Sequence, residues 1–298
     1  MREISALRPT DVLMLGLLAA LLCLSLVKAP VIHSIPQPAS VVISQPADTK
    51  PAGEASTILP RNQAPATAPS EQASELPDFA AIRDTATKKR EFFNYMLPMI
   101  RESNDKIRAD RRDLLRIADK LKTGTTLDTS ELDFIGGLQL YYRIRNQYDL
   151  AATVDALLIR VDVVPASLVL AQAANESGWG TSRFARQANN MFGVWCFTEG
   201  CGLTPLARAE GLTHEVAKYD SVQESIDAYI RTLNTNSAYV ELRDIRANSR
   251  EMAEHFTGHE LAEGLLRYSE RGEDYVREIQ MMIRVNDLHQ YTLPPIQA

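Results

Sequence analysis

The sequence lacks an excess of basic residues: its 298 residues carry a formal net charge of −6, and the isoelectric point is about 5.5. No overall positive field would therefore draw the chain to nucleic acid, and we expect no nucleic-acid partner. A hydrophobic content of 45% is ordinary for a globular protein and too low for one with many membrane spans. The chain also shows no internal repeat, and its length is enough for one substantial core.

A nucleotide-binding or metal-binding signature is also missing. The Ser-Gly-Trp-Gly corner at 177–180 has no strand–turn–helix context, so it is not a phosphate loop or a dinucleotide fingerprint. His255 and His259 stand four residues apart, as zinc ligands on a helix do, but Gly258 interrupts the pattern and no third ligand is indicated. We therefore predict no metal and no cofactor.

One long apolar run is present, at residues 12–27 near the N-terminus. Basic residues precede it and Lys28 follows it, which is the layout of an export signal. The run is shorter than the roughly 20 residues that a membrane span needs. We predict that residues 1–29 are a signal peptide cleaved near Ala29 or a retained inner-membrane anchor. In both cases the body is exported to the periplasm, and this segment is its one contact with a membrane.

Residues 30–77 are rich in Pro, Ala, Ser, Thr and Gln and show neither a helical nor a strand period. Such a segment cannot bury enough apolar surface to offset its ordering entropy. We predict a flexible tether between the N-terminal segment and a folded body that begins near Asp78.

Two cysteines of the body, Cys196 and Cys201, enclose a four-residue loop. In an oxidising compartment this spacing favours a disulfide, worth roughly 2 kcal/mol on the chain-entropy account. A metal-binding pair is the alternative, although no further His or Cys follows at zinc spacing.

The body is predicted to be mainly helical with one small β-element. Ile107, Leu114, Ile117 and Leu121 share a face of a long charged helix in which Pro98 predicts a break or a kink. Further helices are predicted at 130–148, with Thr129 or Ser130 as the cap, and at 153–159. The next begins at Pro165 and ends at Gly178 and Gly180, and others cover 221–234, 249–256, 258–269 and 273–288. The stretches "LARAE" and "THEVAKY" predict a short hairpin.

Glu176 is the candidate for chemistry. It falls at the C-terminal end of its predicted helix, where the macrodipole disfavours negative charge. Trp179, Phe192 and Trp195 can supply an apolar wall, and desolvation also favours the protonated carboxyl group. A carboxylic acid that keeps its proton near neutral pH is what a general acid requires. On the residues alone, an ordinary surface glutamate fits equally well.

The stretch "LVLAQAANESGWGTSRFARQANNMFGVW" closely resembles the core of the bacterial β-N-acetylglucosaminidases of glycoside hydrolase family 73. The resemblance rests on Ala171 to Ala174, on Glu176 to Gly180, and on Ala188, Asn189, Asn190, Phe192 and Gly193, which match the alanine and the Asn-Asn-x-Phe-Gly block of the family. "YDSVQES" at 219–225 and "RYSERGEDYVREI" near the C-terminus resemble two further blocks of the family. The arrangement also looks like the bacterial Bax-type branch, with a helical insertion at about 105–160.

This resemblance implies an α+β, lysozyme-like, predominantly helical fold and makes residues 78–298 a glucosaminidase-like catalytic domain. It implies that the partner is the glycan strand of peptidoglycan and that the β-1,4 bond after N-acetylglucosamine is hydrolysed. Glu176 matches the general acid of the family, and Tyr219 matches a tyrosine that lines the cleft. Trp179, Asn190 and Phe192 would shape the groove that binds the substrate.

The second catalytic group is open between several candidates. In the family it comes from the β-hairpin, which offers Glu210 at its predicted tip, then Glu215, then Glu199. An inverting enzyme would hold one of them about 6.5–9.5 Å from Glu176, with water between the two carboxyl groups. Alternatively, the acetamido group of the substrate attacks and no protein base is needed.

Two other functions compete with this interpretation. A lytic transglycosylase also uses one glutamate in a lysozyme-like fold but forms an anhydro product, and the Trp-Gly corner and the Asn-Asn-x-Phe-Gly block favour the glucosaminidase. A cell-wall-binding scaffold without catalysis is the second alternative, and the presence of Glu176 and Tyr219 argues against it. The sequence identifies no protein activator.

Overall fold

The structure, a computed structural model, describes residues 76–145, 149–206, 208 and 211–291. The apolar run at 12–27, residues 30–75 of the predicted tether at 30–77, and the candidate Glu210 lie outside these residues, and the expectations for them stay predictions. The described part consists of helices and one small antiparallel sheet. The predicted α+β, predominantly helical, lysozyme-like fold is confirmed.

In the described residues, short 3₁₀ turns at Ser237–Tyr239, Ala262–Leu265 and Leu288–Tyr291 join or follow nine α-helices. They are α1 (Thr85–Lys122), α2 (Thr129–Tyr141), α3 (Leu150–Arg160), α4 (Ala166–Ser177), α5 (Arg183–Ala188), α6 (Val222–Thr235), α7 (Val240–Glu251), α8 (Gly258–Leu261) and α9 (Glu273–Val285). None of them, within the described ranges, is long and apolar enough to cross a membrane.

Helix α1 is the long charged helix that the sequence predicts. Ile107, Leu114 and Ile117 are buried on its inner face, as predicted. The helix continues through Pro98, so of the predicted break or kink the break is wrong, and the kink stays a prediction. Proline has no N–H group to donate to the backbone carbonyl four residues earlier. Because Pro98 is exposed, water can bond to that carbonyl instead.

Helices α2 and α3 differ from the prediction at their ends. Helix α2 ends at Tyr141 rather than reaching 148, and its cap is Asp128 rather than Thr129 or Ser130. The Asp128 carboxylate accepts the amide N–H of Glu131, and the Glu131 carboxylate accepts the amide N–H of Asp128. This reciprocal capping box satisfies two backbone N–H groups at once. A cap at Thr129 or Ser130 could not form the same box with Glu131, because the box needs a spacing of three residues.

Helix α4 lies in the middle of the core, in contact with α1, α8 and α9. It is buried on nearly every side from Ala166 to Ala174. A helix that is surrounded in this way has no solvent face on which polar side chains can stand, so its Gln172 needs partners inside the protein. Gly178, at φ 57°, ends the helix as predicted.

The β-element is a three-stranded sheet rather than the predicted hairpin. Strands β1 (Trp195–Cys196) and β2 (Gly202–Leu203) both pair with the central strand β3 (Glu215–Ala217). The prediction of a strand within "THEVAKY" is confirmed. Of "LARAE", Leu206 and Arg208 belong to no strand and the other positions lie outside the described residues.

The C-terminal helices also need one correction. Helix α7 ends at Glu251, and residues 254–257 are not helical, so the helix predicted at 249–256 is wrong. The first residues of the predicted segment complete α7, and Thr257 then caps α8 by accepting the amide N–H of Glu260. The helix predicted at 273–288 is observed as α9, which ends at Val285.

Replacing Gly180 with alanine is expected to cost about 2–4 kcal/mol of stability, because left-handed strain and overpacking add together. Gly180 has φ +76°, and a Cβ atom there would lie 2.5 Å from the Phe79 ring. Thermal unfolding measures the loss. Gly178→Ala is the matched control, because it carries similar strain at φ +57° while its Cβ would meet only Thr181 at 3.5 Å. Equal losses in the two variants would contradict the packing part of this account.

Candidate active site

Glu176 lies in the last turn of α4, where the helix emerges from the core. Its carboxylate oxygen Oε1 accepts a hydrogen bond from the Tyr275 hydroxyl at 2.7 Å and one from the Asn175 side-chain amide at 3.3 Å. The other oxygen, Oε2, lies beside the backbone of Gly193, where an added Cβ atom would be 4.0 Å away. One oxygen is thus held by donors while the other faces a position without a side chain.

A buried chain of hydrogen bonds holds Tyr275 in place. The Gln172 side-chain amide donates to the Tyr275 hydroxyl at 2.9 Å, and the Tyr229 hydroxyl donates to Gln172 Oε1. Gln172, Tyr229 and Tyr275 are all buried. Because the Tyr275 oxygen accepts from Gln172, its own O–H is directed at Glu176. Tyr275 of α9 thus reaches the carboxyl group of α4 directly, and Tyr229 of α6 supports it through Gln172.

Burial is the largest influence on the Glu176 carboxyl group, and it raises the pKa of Glu176 to about 7. The hydrogen bonds from Tyr275 and Asn175 favour the ionised form and act in the opposite direction. The negative charge of Glu278 raises the pKa, and the positive charge of Arg271 lowers it. At neutral pH a substantial fraction of Glu176 therefore carries its proton, which matches the requirement for a general acid.

The segment from Asn189 to Gly193 ends at the glycine whose backbone lies beside Glu176 Oε2. Asn190 is 1% exposed, and its side chain bonds Val194, Ala217 and the amide group of Phe192. Phe192 is 0% exposed and stacks on Tyr229 at 3.9 Å between ring centroids. The side chains of Asn190 and Phe192 therefore fix the backbone next to the acid and do not themselves reach solvent in this structure.

Trp179 stands at the edge between the site and α1. Its ring packs edge to face on Phe92 and Phe93, at 5.7 and 5.4 Å, and Lys89 Nζ lies 4.8 Å from its centre. The backbone at Trp179 has φ +61°, so the Gly178–Trp179–Gly180 corner turns the chain sharply. Trp195, the other predicted wall residue, stacks on His214 at 3.9 Å.

Comparison with known proteins relates this chain to one protein family and one bacterial relative. The family described as mannosyl-glycoprotein endo-beta-N-acetylglucosaminidase matches residues 151–288. The chain is also 31% identical to the protein called bax of Escherichia coli (strain K12) over 218 residues, which is 73% of this chain and 76% of the relative. The chain belongs to the glucosaminidase family. No solved structure matches it.

The glucosaminidase match includes every group of the hydrogen-bond chain, because Gln172, Glu176, Tyr229 and Tyr275 all lie within 151–288. Gln172 and Tyr275 were not among the predicted site residues. The sequence does indicate a role for Gln172, because it is a polar residue one helical turn before Glu176 on a helix with an otherwise apolar face. Tyr275 lies in the block "RYSERGEDYVREI", which contains two tyrosines without marking which one reaches the site.

Tyr219, which the resemblance places in a glucosaminidase cleft, is held by its backbone. Its amide group donates to the Ala188 carbonyl, and its carbonyl accepts the Asn189 side-chain amide, both at 3.0 Å. The side chain is half-buried, and this burial raises the pKa of Tyr219 to about 12. Its hydroxyl group is therefore a neutral hydrogen-bond donor at any working pH.

The disulfide between Cys196 and Cys201 is present, which confirms the predicted pairing. Glu215 supports the loop that the disulfide closes, because its carboxylate accepts the amide groups of Gly202 at 2.7 Å and Gly200 at 3.3 Å. Glu199 lies within this loop and is exposed. Of the three predicted second carboxylates, then, Glu215 has both oxygens bound by the backbone N–H groups of Gly200 and Gly202, and Glu210 lies outside the described residues.

Proposed function

We propose that this protein hydrolyses the β-1,4 bond after N-acetylglucosamine in peptidoglycan, with Glu176 as the general acid. The observation that carries the proposal is a glutamate at the end of the buried helix α4, bound through Oε1 by the Tyr275 hydroxyl, inside the region that matches the glucosaminidase family. Burial raises the pKa of this carboxyl group to about 7. Proton transfer from such a group to a glycosidic oxygen is the step that glycoside hydrolases need.

The two oxygens of Glu176 have different roles in this proposal. Oε2, beside Gly193, carries the proton and gives it to the oxygen that bridges the two sugars. Oε1 stays hydrogen-bonded to Tyr275, and this bond strengthens as the carboxyl group becomes a carboxylate. Tyr275 therefore stabilises the charge that develops on the acid. Gln172 acts through Tyr275, because it fixes the direction of the hydroxyl hydrogen.

The second step has two routes that fit the chain. In one, Glu210 or Glu199 activates a water molecule on the opposite face of the sugar. In the other, the acetamido group of the substrate attacks the anomeric carbon and no second carboxylate acts. Glu215 is the weakest candidate, since its carboxylate already accepts two amide N–H groups. We propose that Trp179 and Tyr219 line the groove, while Asn190 and Phe192 shape it from beneath.

We also propose that the protein works in the periplasm, exported and either released or anchored by the run at 12–27. The disulfide between Cys196 and Cys201 supports an oxidising compartment. Peptidoglycan lies in the same compartment, so a tethered domain could reach its substrate.

Product analysis of purified sacculi tests the proposed function. We expect the wild-type protein to release fragments that end in reducing N-acetylglucosamine, identified by mass spectrometry after borohydride reduction. Anhydro-muramyl ends would instead support a lytic transglycosylase, for which one acid is also sufficient. Binding to sacculi without any released fragment would support the scaffold and contradict the proposal.

A further inference from the structure

A cavity of about 160 Å³ lies between α1, α2 and α6. One of its lining residues is Asn234 of α6, whose side-chain amide donates to the Asp162 carbonyl at 2.9 Å. Asp162 comes four residues before α4 begins, whereas Glu176 is in the last turn of that helix. Most of the length of α4, roughly 15 Å, therefore separates the two places, and the cavity is not part of the candidate active site.

Asn234 has a polar atom that the protein does not satisfy. The residue is 0% exposed, and its Oδ1 has no hydrogen-bond partner among the described residues. A buried acceptor without a partner costs free energy, and only an N–H or O–H donor can satisfy it. The cavity is several times larger than the ~30 Å³ that one water molecule occupies in the liquid, so it has room for a small organic molecule that carries such a donor.

Asp227 adds a carboxylate to the same wall. It stands seven residues, or two helical turns, before Asn234 on α6, so both side chains lie on one face of the helix and line the cavity. Ser103 and Gln223 both donate to Asp227 Oδ1, which leaves Oδ2 for a ligand. A carboxylate beside an unsatisfied acceptor favours a donor that is also a cation, such as an ammonium group.

Two cations line the cavity as well. The Arg231 guanidinium group lies 5.2 Å from the centre of the Tyr141 ring, and no carboxylate of the described residues forms an ion pair with it. Lys106 is exposed and pairs with Glu102 at 2.9 Å. An arginine without a carboxylate partner is well suited to bind the carboxylate of a ligand through two N–H donors. The two cations also make a metal ion an unsuitable occupant.

The remaining wall is largely apolar, with buried side chains from all three helices: Ile107, Leu138 and Ile230. Asp110 is the fourth charged residue in the lining, so the two cations and two carboxylates sum to zero. A ligand without net charge therefore matches the cavity, provided that it carries one group of each sign and an aliphatic part.

We propose that this cavity binds the zwitterionic end of a small aliphatic amino acid. Asn234 Oδ1 and Asp227 hold the ammonium group, Arg231 holds the carboxylate, and the aliphatic part packs on Ile107 and Ile230. Helices α1 and α2 precede the region 151–288 that matches the glucosaminidase family, so the site goes beyond the proposed function. Two sources carry this chemistry: a free amino acid, and the side chain of diaminopimelate in a peptidoglycan stem peptide.

Methyl NMR of the full-length protein tests the proposal. The isoleucine methyl signals of residues 107 and 230 are assigned through Ile107→Val and Ile230→Val. We expect leucine and diaminopimelate to shift both signals, with a Kd of roughly 0.1–1 mM for so small a ligand. 4-Methylpentanoate and 3-methylbutylamine, which are leucine without its ammonium group and without its carboxylate, are the matched control ligands and should bind at least ~10-fold more weakly.

Variants of the protein provide the second comparison. Arg231→Gln and Asp227→Asn should each weaken leucine binding at least ~10-fold, because each removes one charge that the ligand needs. Arg112→Gln and Asp133→Asn, at exposed positions of α1 and α2, change the same charges outside the cavity and should bind as the wild type does. Circular dichroism establishes that each variant is folded, and the comparison of ligands in the wild type does not depend on any variant.

Absence of methyl shifts up to about 10 mM amino acid would overturn the proposal and leave a cavity that holds water only. Equal binding of leucine and the two control ligands would also overturn it. Tighter binding of a stem tripeptide that ends in diaminopimelate would assign the site to peptidoglycan, and tighter binding of leucine would assign it to free amino acids. Glu176→Gln should bind leucine normally, so failure of the proposed hydrolase activity would not affect this result.

Discussion

Glu176→Gln is expected to lower kcat on sacculi by ~10³-fold, within the range that loss of a general acid produces. Glutamine has the shape of glutamate and keeps a carbonyl oxygen that can accept the Tyr275 hydrogen bond, so the fold should be retained. The glutamine side chain, however, has no acidic proton to deliver to the oxygen that bridges the two sugars. The release of reducing ends, measured against time and substrate concentration, gives kcat and KM separately.

The control for this variant is Glu263→Gln, a glutamate on an exposed surface of the 3₁₀ turn Ala262–Leu265. It changes the same atoms and the same charge away from the site, and its kcat should match the wild type. A Glu176→Gln protein that digests sacculi at the wild-type rate would remove Glu176 from its proposed role. A rise in KM with unchanged kcat would make it a binding residue instead.

The wild-type pH profile should follow from the same group. A general acid works in its protonated form, so kcat/KM should fall as pH rises through the pKa of Glu176, which burial raises to about 7. An ordinary exposed glutamate would place this fall near pH 4 to 5, at about its reference pKa. Activity that persists undiminished to pH 9 would contradict the assignment of the proton to Glu176.

The position of Glu176 could be predicted from the sequence, because it depends on local signals. Pro165 before α4 and Gly178 after it mark the ends of the helix, and they place Glu176 in its last turn. The reason for its raised pKa was predicted only in part. Desolvation was expected from Trp179, Phe192 and Trp195, and burial is the largest cause of the raised pKa. The hydrogen bond from the Tyr275 hydroxyl of α9, which lowers the pKa of Glu176, was not expected.

Contacts between residues far apart in the chain explain why the rest could not be predicted. Tyr275 reaches Glu176 across 99 residues, and Tyr229 reaches Gln172 across 57. No local period encodes such pairs, since they form only where side chains of α6 and α9 reach α4 in the folded core. The three-stranded sheet was predicted as a hairpin for a different reason. Strands β1 and β2 have two residues each, which is too short for an alternating pattern of apolar and polar residues to be visible.

Asp162→Ala is expected to cost about 3–5 kcal/mol of stability, the largest effect on folding that we expect from a single substitution. Asp162 is 2% exposed and lies between three arginines. Arg250 holds its carboxylate through two hydrogen bonds of 2.8 and 3.0 Å, and the carboxylate is 3.5 Å from Arg111 and 3.8 Å from Arg246. Arg246 is itself 1% exposed, so removing Asp162 leaves a buried positive charge without its counter-ion.

Denaturant unfolding of Asp162→Ala and Asp162→Asn against Asp155→Asn, an exposed aspartate on α3, measures this effect. The pH dependence gives an independent check. Burial alone would raise the pKa of Asp162, but Arg246, Arg250 and Arg111 together hold it below its usual value. A group whose folded pKa is depressed contributes stability above its unfolded pKa and loses it as pH falls through the folded pKa. The stability gap between wild type and Asp162→Asn should therefore be largest at neutral pH and shrink in acid. A gap that is independent of pH would show that the shape of the side chain, and not its charge, holds α1, α7 and the start of α4 together.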